Sequence, residues 1–425
     1  MRLVVHDRLP GVASAGHRTG REHRSPATAV CALQVRSWFV AVRLVSSPAR
    51  AGLPAADPRV GILSTYPPTP CGLATFTAAL GGHLAGSGVV RVVDGAALGT
   101  SPEVVGHLMV GDPLGPLVAA AALDTFDVVL LQHEYGIFGG PDGEDVLDVV
   151  GALHVPLVTV AHTALENPSP NQRRVLCRLV AASAAVVCMT WTARKRLIEL
   201  YGASPDAVEV IPHGAPNLLA ARPPRRAEAR PVILTWGLLG PGKGIEWAVD
   251  ALPELRDLNP RYLVVGQTHP RVQAEHGETY REGLRRRADA QGVGDLLHLD
   301  ASYLPTAELA RVVAASDVVL LPYDSVEQVT SGVLIEAVAA GRPVVSTAFP
   351  HAVELLSSGP GLLVPRQDPG ALAAALRRVL TEDGLATALE SQAQTLAPTL
   401  RWPAVARSYA DLAGRVLERQ AVGAR

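Results

Sequence analysis

Between Leu320 and Val345 the chain reads LLPYDSVEQVTSGVLIEAVAAGRPVV, and it sets a carboxylate, Glu336, five residues after Ser331. Val318 to Leu321 is a short β-branched apolar run closed by Pro322, which predicts a buried strand. Thr330 stands where it could cap the helix that follows, and Gly341 ends that helix before a strand from Pro343 to Ser346. A helix opening on Ser331, Gly332 and Val333 turns unpaired N–H groups outward, which suits a phosphate. At ~1.5 Å per residue, Glu336 lies ~7 Å further along the axis. That is roughly the separation between a nucleotide's diphosphate and its ribose hydroxyls, so one site could hold both.

Other chemistry-bearing residues stand just after apolar runs. Trp236-Gly-Leu-Leu-Gly-Pro-Gly-Lys-Gly244 places four glycines, Gly240 among them, around Lys243. Glycines let a backbone approach a phosphate, and lysine adds a compact positive charge. The spacing is not that of a Walker A loop. His133 and Glu134 follow the run ending at Gln132 and fit an acceptor-side wall; the second histidine of an H-E-x-x-H zinc motif is missing. His162 follows the run Val155 to Val160, where it could bond a sugar hydroxyl, stabilise positive charge at an anomeric carbon or simply brace a loop. Gly72 closes a proline-rich loop that is either a ligand-side turn or a plain surface turn.

Glu336, Ala337, Ala339, Gly341, Pro343, Val344 and Val345 match the EA-x-A-x-G-x-P-V-V run of the retaining GT-B glycosyltransferases, the "glycosyl transferases group 1" family, which this segment resembles. The family's first glutamate of Glu-x7-Glu falls on Gln328, with Glu327 one residue away. By the resemblance, either Glu327 through a shifted loop or Gln328 as a neutral group holds the transferred sugar. The Trp236–Gly244 loop is similar to the family's donor-phosphate loop, with Leu238 in place of its arginine. His162 and Gly72 fall at places comparable to the family's histidine and its N-terminal glycine. Ile211-Pro-His213-Gly214 is similar to a hinge-side loop in which asparagine is commoner than His213. The resemblance spans roughly residues 59 to 415 and is strongest from Ile233 to Val364. It implies two Rossmann-like doubly wound domains facing a cleft, the GT-B architecture. It also implies transfer of a hexose with retention, without metal or cofactor, from a UDP- or GDP-linked sugar to a sugar, polyol or lipid-linked glycan.

The elements that must carry these residues are legible as alternation. Apolar runs at Arg59–Ser64, Phe126–Gln132, Val155–Ala161, Ala184–Met189 and Val208–Ile211 read as strands, with helices at about Thr75–Ala85 and Thr192–Tyr201. After AARPPRRAEARP (Ala220 to Pro231) the rhythm restarts: strands at Val232–Trp236, Arg261–Gly266 and Leu296–Leu299, helices at Gly244–Leu255, Glu278–Gln291 and Thr306–Ala314. Near-continuous apolar strands alternating with helices predict parallel sheets covered on both faces. The organisation read from this is an extension over 1–57, domains over 58–219 and 232–395, a linker over 220–231, and a helical tail over 396–425. The resemblance implies that the tail packs back on the first domain. The extension, rich in Arg, His, Ser and Pro, reads as disordered or as an upstream start codon, and as no signal-peptide core.

Composition narrows the class. A net charge of −2 offers no footprint for nucleic acid. Cys31, Cys71, Cys177 and Cys188 are far apart and read as reduced thiols. No apolar run reaches the ~18 residues of a span, so a cytoplasmic protein is expected, with peripheral membrane contact left open. A dinucleotide dehydrogenase would need G-x-G-x-x-G with an acid ~20 residues on, and neither first loop supplies it. A non-catalytic nucleotide-sugar-binding protein, or an epimerase or phosphorylase on the same fold, is the alternative reading.

Overall fold

The computed structural model describes residues 57–69, 71–95, 99, 101–218, 229–357 and 359–423. The extension and most of the linker expected from the sequence, residues 1–56 and 219–228, therefore lie outside the described residues.

The first half is built on strands β1 (Val60–Ser64), β2 (Gly88–Val93), β3 (Val104–Met109), β4 (Val128–His133), β5 (Leu157–Ala161), β6 (Ala185–Cys188) and β7 (Val208–Val210). Its helices are α1 (Gly72–Gly81), α2 (Gly115–Leu123), α3 (Val146–Ala152), α4 (Pro170–Ala182) and α5 (Trp191–Tyr201). The second half carries β8 (Val232–Trp236), β9 (Arg261–Val265), β10 (Leu297–Asp300), β11 (Val318–Leu321), β12 (Val344–Thr347) and β13 (Gly361–Val364). Its helices are α6 (Ile245–Ala251), α7 (Pro270–His276), α8 (Thr279–Ala290), α9 (Thr306–Ala315), α10 (Gly332–Ala339), α11 (Pro350–Leu356), α12 (Pro369–Thr381) and α13 (Leu385–Leu400). A last helix, α14 (Trp402–Gly423), follows directly.

Both sheets are parallel, ordered β3-β2-β1-β4-β5-β6-β7 and β10-β9-β8-β11-β12-β13. They are the two Rossmann-like sheets expected from the alternation. The central strands are buried on both faces, which is why they read as unbroken apolar runs. On one face of the first sheet Ile62, Leu130 and Val160 pack against Phe76 and Leu80 of α1 and Val405, Tyr409 and Leu412 of α14. On the other, Leu63, Val129 and Leu131 meet Leu123, Val149 and Val175. In the second sheet Leu234, Val319 and Leu321 back onto Leu334, Ile335 and Val338 of α10.

Strand order reverses between β1 and β4 in one sheet and between β8 and β11 in the other. Crevices outside the carboxyl ends of strands at such points are where open α/β sheets take ligands. His133 ends β4, Gly72 opens the helix after β1, and the loops leaving β8 and β11 carry Lys243 and Glu327. The chain's two passages between halves are pinned side by side: Ala215 N–H donates to Leu400 O at 2.7 Å and Trp402 N–H to Ala215 O at 3.1 Å.

Several elements differ from the sequence expectation. α1 starts at Gly72 rather than near Thr75, because the Cys71 Sγ accepts the Ala74 N–H at 3.3 Å and caps it. α6 stops at Ala251, since Pro253 follows and the chain tightens into a 3₁₀ turn to Leu258. β2 and β3 escaped notice because Arg91 and His107 interrupt their apolar pattern. No helix among the described residues is long and apolar enough to cross a membrane.

Candidate active site

The start of α10 organises the cleft. Ser331, not Thr330, is its cap: Ser331 is extended (φ −137°, ψ 109°) and its Oγ accepts the Leu334 N–H at 3.3 Å. The Thr330 hydroxyl is buried without a partner among the described residues. Ser331 also does not offer its own N–H, which donates to His351 Nδ1 at 2.8 Å. The N–H groups left without an acceptor among the described residues are those of Gly332 and Val333, the expected orphans of a first helical turn.

The glycine loop lies against this turn. Gly237 (φ +118°) brings its backbone so close that a Cβ there would touch the Val333 side chain at 3.4 Å. The loop is held by the Asp324 N–H, which donates to Gly242 O at 3.0 Å. Gly244 (φ +63°) lies tight on Pro322, and a Cβ would fall 1.9 Å from its carbonyl oxygen. Gly240 is buried beside Val272, a Cβ there meeting that side chain at 3.1 Å, so it shapes the loop from behind. Lys243 Nζ sits 4.4 Å from the ring centre of Tyr323, itself stacked on Phe349. The lysine is thus half-buried over an aromatic face, with no carboxylate partner among the described residues.

Glu336, one turn into α10, accepts from Trp236 Nε1 at 3.1 Å. That single donor does not offset its burial, which pushes the carboxyl up to about 7. Glu327 and Gln328 are engaged elsewhere. Glu327 reaches into the first half, accepting from Glu166 N–H at 2.9 Å and Arg196 Nη1 at 3.1 Å. Gln328 turns its amide back onto Thr330 O at 3.1 Å. Both side chains are thus engaged by the protein itself, Glu327 across to the first half and Gln328 within its own loop.

In the first half, His162 is buried, 2.6 Å from Gln132 Oε1 through its Nε2, and edge-on to Phe76 at 4.8 Å. Burial, with the His213 and His133 rings nearby, pushes it down to about 3. His133 is only 1% exposed, edge-on to Tyr135, and burial takes it down to about 4. It is no part of an open wall: the chain folds the Glu134–Tyr135 turn over it. Glu134 accepts from the Thr163 hydroxyl and the Tyr135 N–H, and burial raises its carboxyl. Gly72 opens α1 where a Cβ would meet nothing within 4 Å, so the protein's own packing does not demand glycine there. His213, a turn residue on the sequence reading, touches the other half: a Cβ on Gly332 would come within 3.1 Å of its ring.

Two residues were missed from the sequence. His351 lies in the first turn of α11, just after β12, where a search after each strand would have found it. Arg196 lies mid-helix in α5, where nothing in the sequence marks it. No cluster of His, Cys, Asp or Glu suited to a metal occurs among the described residues.

Residues 72–216 match the model of Glycosyltransferase Family 4 and residues 230–382 that of Glycosyl transferases group 1. A D-inositol 3-phosphate glycosyltransferase of Nocardioides sp. is 30% identical over 327 residues, covering 69% of this chain and 68% of that protein. The chain belongs to the group 1 glycosyltransferases. A second member of the family, the D-inositol 3-phosphate glycosyltransferase of Acidothermus cellulolyticus, is 32% identical, with 58% of this chain and 59% of that protein aligned. This chain thus spans less than two thirds of that relative's length. Among solved structures, Anabaena HepE in complex with UDP and glucose superposes with a TM-score of 0.67 at 18% identity, covering 84% of this chain and all (100%) of HepE. Sucrose-phosphate synthase from Thermosynechococcus elongatus superposes with a TM-score of 0.64 at 20% identity, over 86% of this chain and 100% of that one. The fold is that of these GT-B neighbours.

Proposed function

We propose that this chain moves a hexose from a nucleoside-diphosphate sugar to a hydroxyl of a sugar or polyol, with retention and without a metal. The observation that carries the reading is the start of α10. There the unpaired Gly332 and Val333 N–H groups lie beside the Lys243 loop, with Glu336 one turn along the same helix. The diphosphate would lie on the two N–H groups, the Lys243 ammonium would swing from Tyr323 onto it, and Glu336 would accept from the ribose. Negative charge grows on the leaving diphosphate as the glycosidic bond breaks, and fixed donors stabilise that charge more than they stabilise the bound donor. The acceptor hydroxyl would attack on the face the leaving group vacates and pass its proton to the departing phosphate oxygen. Glu134 and Gly72 would border the first-half side of that space. The relatives' names support a phosphorylated polyol as acceptor.

The test is a panel of UDP- and GDP-linked sugars, read as release of nucleoside diphosphate with and without inositol 3-phosphate. The expected result is slow release from one donor, accelerated by the acceptor and unchanged by EDTA. Binding of a nucleotide sugar with no turnover under any acceptor would instead make the chain a nucleotide-sugar-binding protein. Rescue of a chelated enzyme by manganese or magnesium would overturn metal independence.

A further inference from the structure

His213 and His351 come from opposite halves and meet on the same helix end. His213 packs on Gly332, and His351 bonds the neighbouring Ser331. Their partners fix where each ring carries its proton. His213 Nδ1 lies 2.7 Å from Gly214 O, and a carbonyl only accepts, so the proton is on Nδ1 and Nε2 is a bare lone pair. His351 Nδ1 accepts the Ser331 N–H, so its proton is on Nε2. Among the described residues neither Nε2 has a hydrogen-bond partner. One acceptor and one donor, opposite in kind, are thus left open at the mouth of α10.

Ligand chemistries differ in how they answer such a pair. An ionised phosphate offers acceptors alone and would leave the His213 lone pair facing negative oxygen. A hydroxyl accepts and donates, and satisfies both nitrogens at once. Position points the same way. Glu336, the ribose group of the proposed site, lies along α10 beyond the diphosphate. The two histidines lie off the opposite, N-terminal end, which is where the transferred sugar would be. Gly332 lets the His213 ring approach the helix end this closely, since any side chain there would strike it. Phe76 closes the apolar side, its ring centre 5.0 Å from His213.

We propose that His213 and His351 bracket one hydroxyl of the transferred sugar, His351 donating to its oxygen and His213 accepting its hydrogen. The pair then sets which donor sugar is used. Burial keeps both rings neutral near pH 7, holding His213 down to about 4 and His351 to about 3, so these roles persist. The inference rests on the nucleotide-sugar reading of the cleft.

The experiment starts from whichever of UDP-glucose, UDP-galactose and GDP-mannose the protein turns over, and compares it with its monodeoxy analogues. The wild type, His213→Phe and His351→Asn are assayed side by side. Asparagine keeps an acceptor for the Ser331 N–H while withdrawing the far donor, and phenylalanine keeps the ring without its lone pair. One deoxy position is expected to lower wild-type kcat/KM by about 10- to 100-fold, as losing a partner from a built hydroxyl site does. In both variants that same penalty should shrink to about threefold or less, while affinity for UDP or GDP stays unchanged. A wild type indifferent to every deoxy position overturns the proposal without recourse to the variants. So does a penalty that persists undiminished in both. If neither UDP nor GDP binds the wild type in a calorimeter, the nucleotide-sugar reading itself fails and the bracket falls with it.

Discussion

At the scale of single residues, the cleft's lysine rests on an aromatic ring while burial keeps its histidines neutral. Lys243 is parked on Tyr323, a cation–π contact of about 0.5–2 kcal/mol that a diphosphate readily outbids. Its work is then done in the transition state, so Lys243→Ala should lower kcat by about a hundredfold or more while raising donor KM only modestly. Steady-state kinetics on the preferred donor decide this; near-normal turnover would place the diphosphate elsewhere. The histidines make a second prediction. His133, His162, His213 and His351 are held at about 4, 3, 4 and 3, below the ordinary 6.5 of an exposed ring. As pH falls below about 6.5 the unfolded chain takes up protons that the folded one refuses, so stability is lost progressively down to the folded values. Glu336 works in the opposite sense. Its carboxyl, raised to about 7, contributes stability that is full below the ordinary 4.5 and lost as pH rises through about 7. Four rings outweigh one carboxyl in acid, so urea midpoints should drop steeply between about pH 6 and 4. Replacing Glu336 by Gln should flatten the curve near neutrality and steepen the acid limb, because the carboxyl's opposing slope between about pH 4.5 and 7 is gone.

At the scale of elements, strands were legible where both faces are apolar. β8 and β11 fall where their β-branched runs predict, because a doubly covered strand has no polar alternation to misread. β2 carries Arg91 in its middle, a buried guanidinium bonded to the Thr69 hydroxyl at 3.1 Å, and no run statistic announces such a partner. The α10 carboxylate and its small-residue start were readable; the competition for its N–H groups was not. His351 takes the Ser331 N–H only because β12 ends beside α10, a contact across twenty positions of sequence. The glycine loop allows a sharper contrast. Gly242 (φ +85°) has nothing within 4 Å of a Cβ, whereas Gly244 (φ +63°) faces the Pro322 carbonyl at 1.9 Å. Gly242→Ala should therefore cost only the ~1–2 kcal/mol of a left-handed alanine. Gly244→Ala adds a backbone collision and should cost clearly more, about 4 kcal/mol or beyond, and displace the Lys243 loop. Denaturant midpoints of the two variants, compared directly, test whether the loop is clamped as described.

At the scale of the molecule, two carboxylates of the second half tie it to the first. Glu327 holds Arg196 and the Glu166 N–H, and Glu354 accepts from the Trp191 and Thr192 N–H groups at the start of α5. Arg196, its side chain 8% exposed, would lose one of two carboxylate partners in Glu327→Ala and keep Glu166. Charge-assisted bonds of this kind are worth ~1.5–3 kcal/mol each. With both ties cut, in the Glu327→Ala, Glu354→Ala double variant, the halves should separate more freely. Small-angle scattering should show a larger radius of gyration without a change in circular dichroism, and an unaltered profile would mean that the hinge alone sets the closure. The hinge itself is the paired passage at Ala215 and Leu400–Trp402, beyond which α14 supplies Val405, Tyr409 and Leu412 to the core under β1 and β4. On a ribosome those three side chains emerge only after every strand of the second sheet has been made. The first half must wait with that face of its sheet covered by α1 alone while the second is made, a patch of oily surface on the nascent chain that its own far end eventually hides.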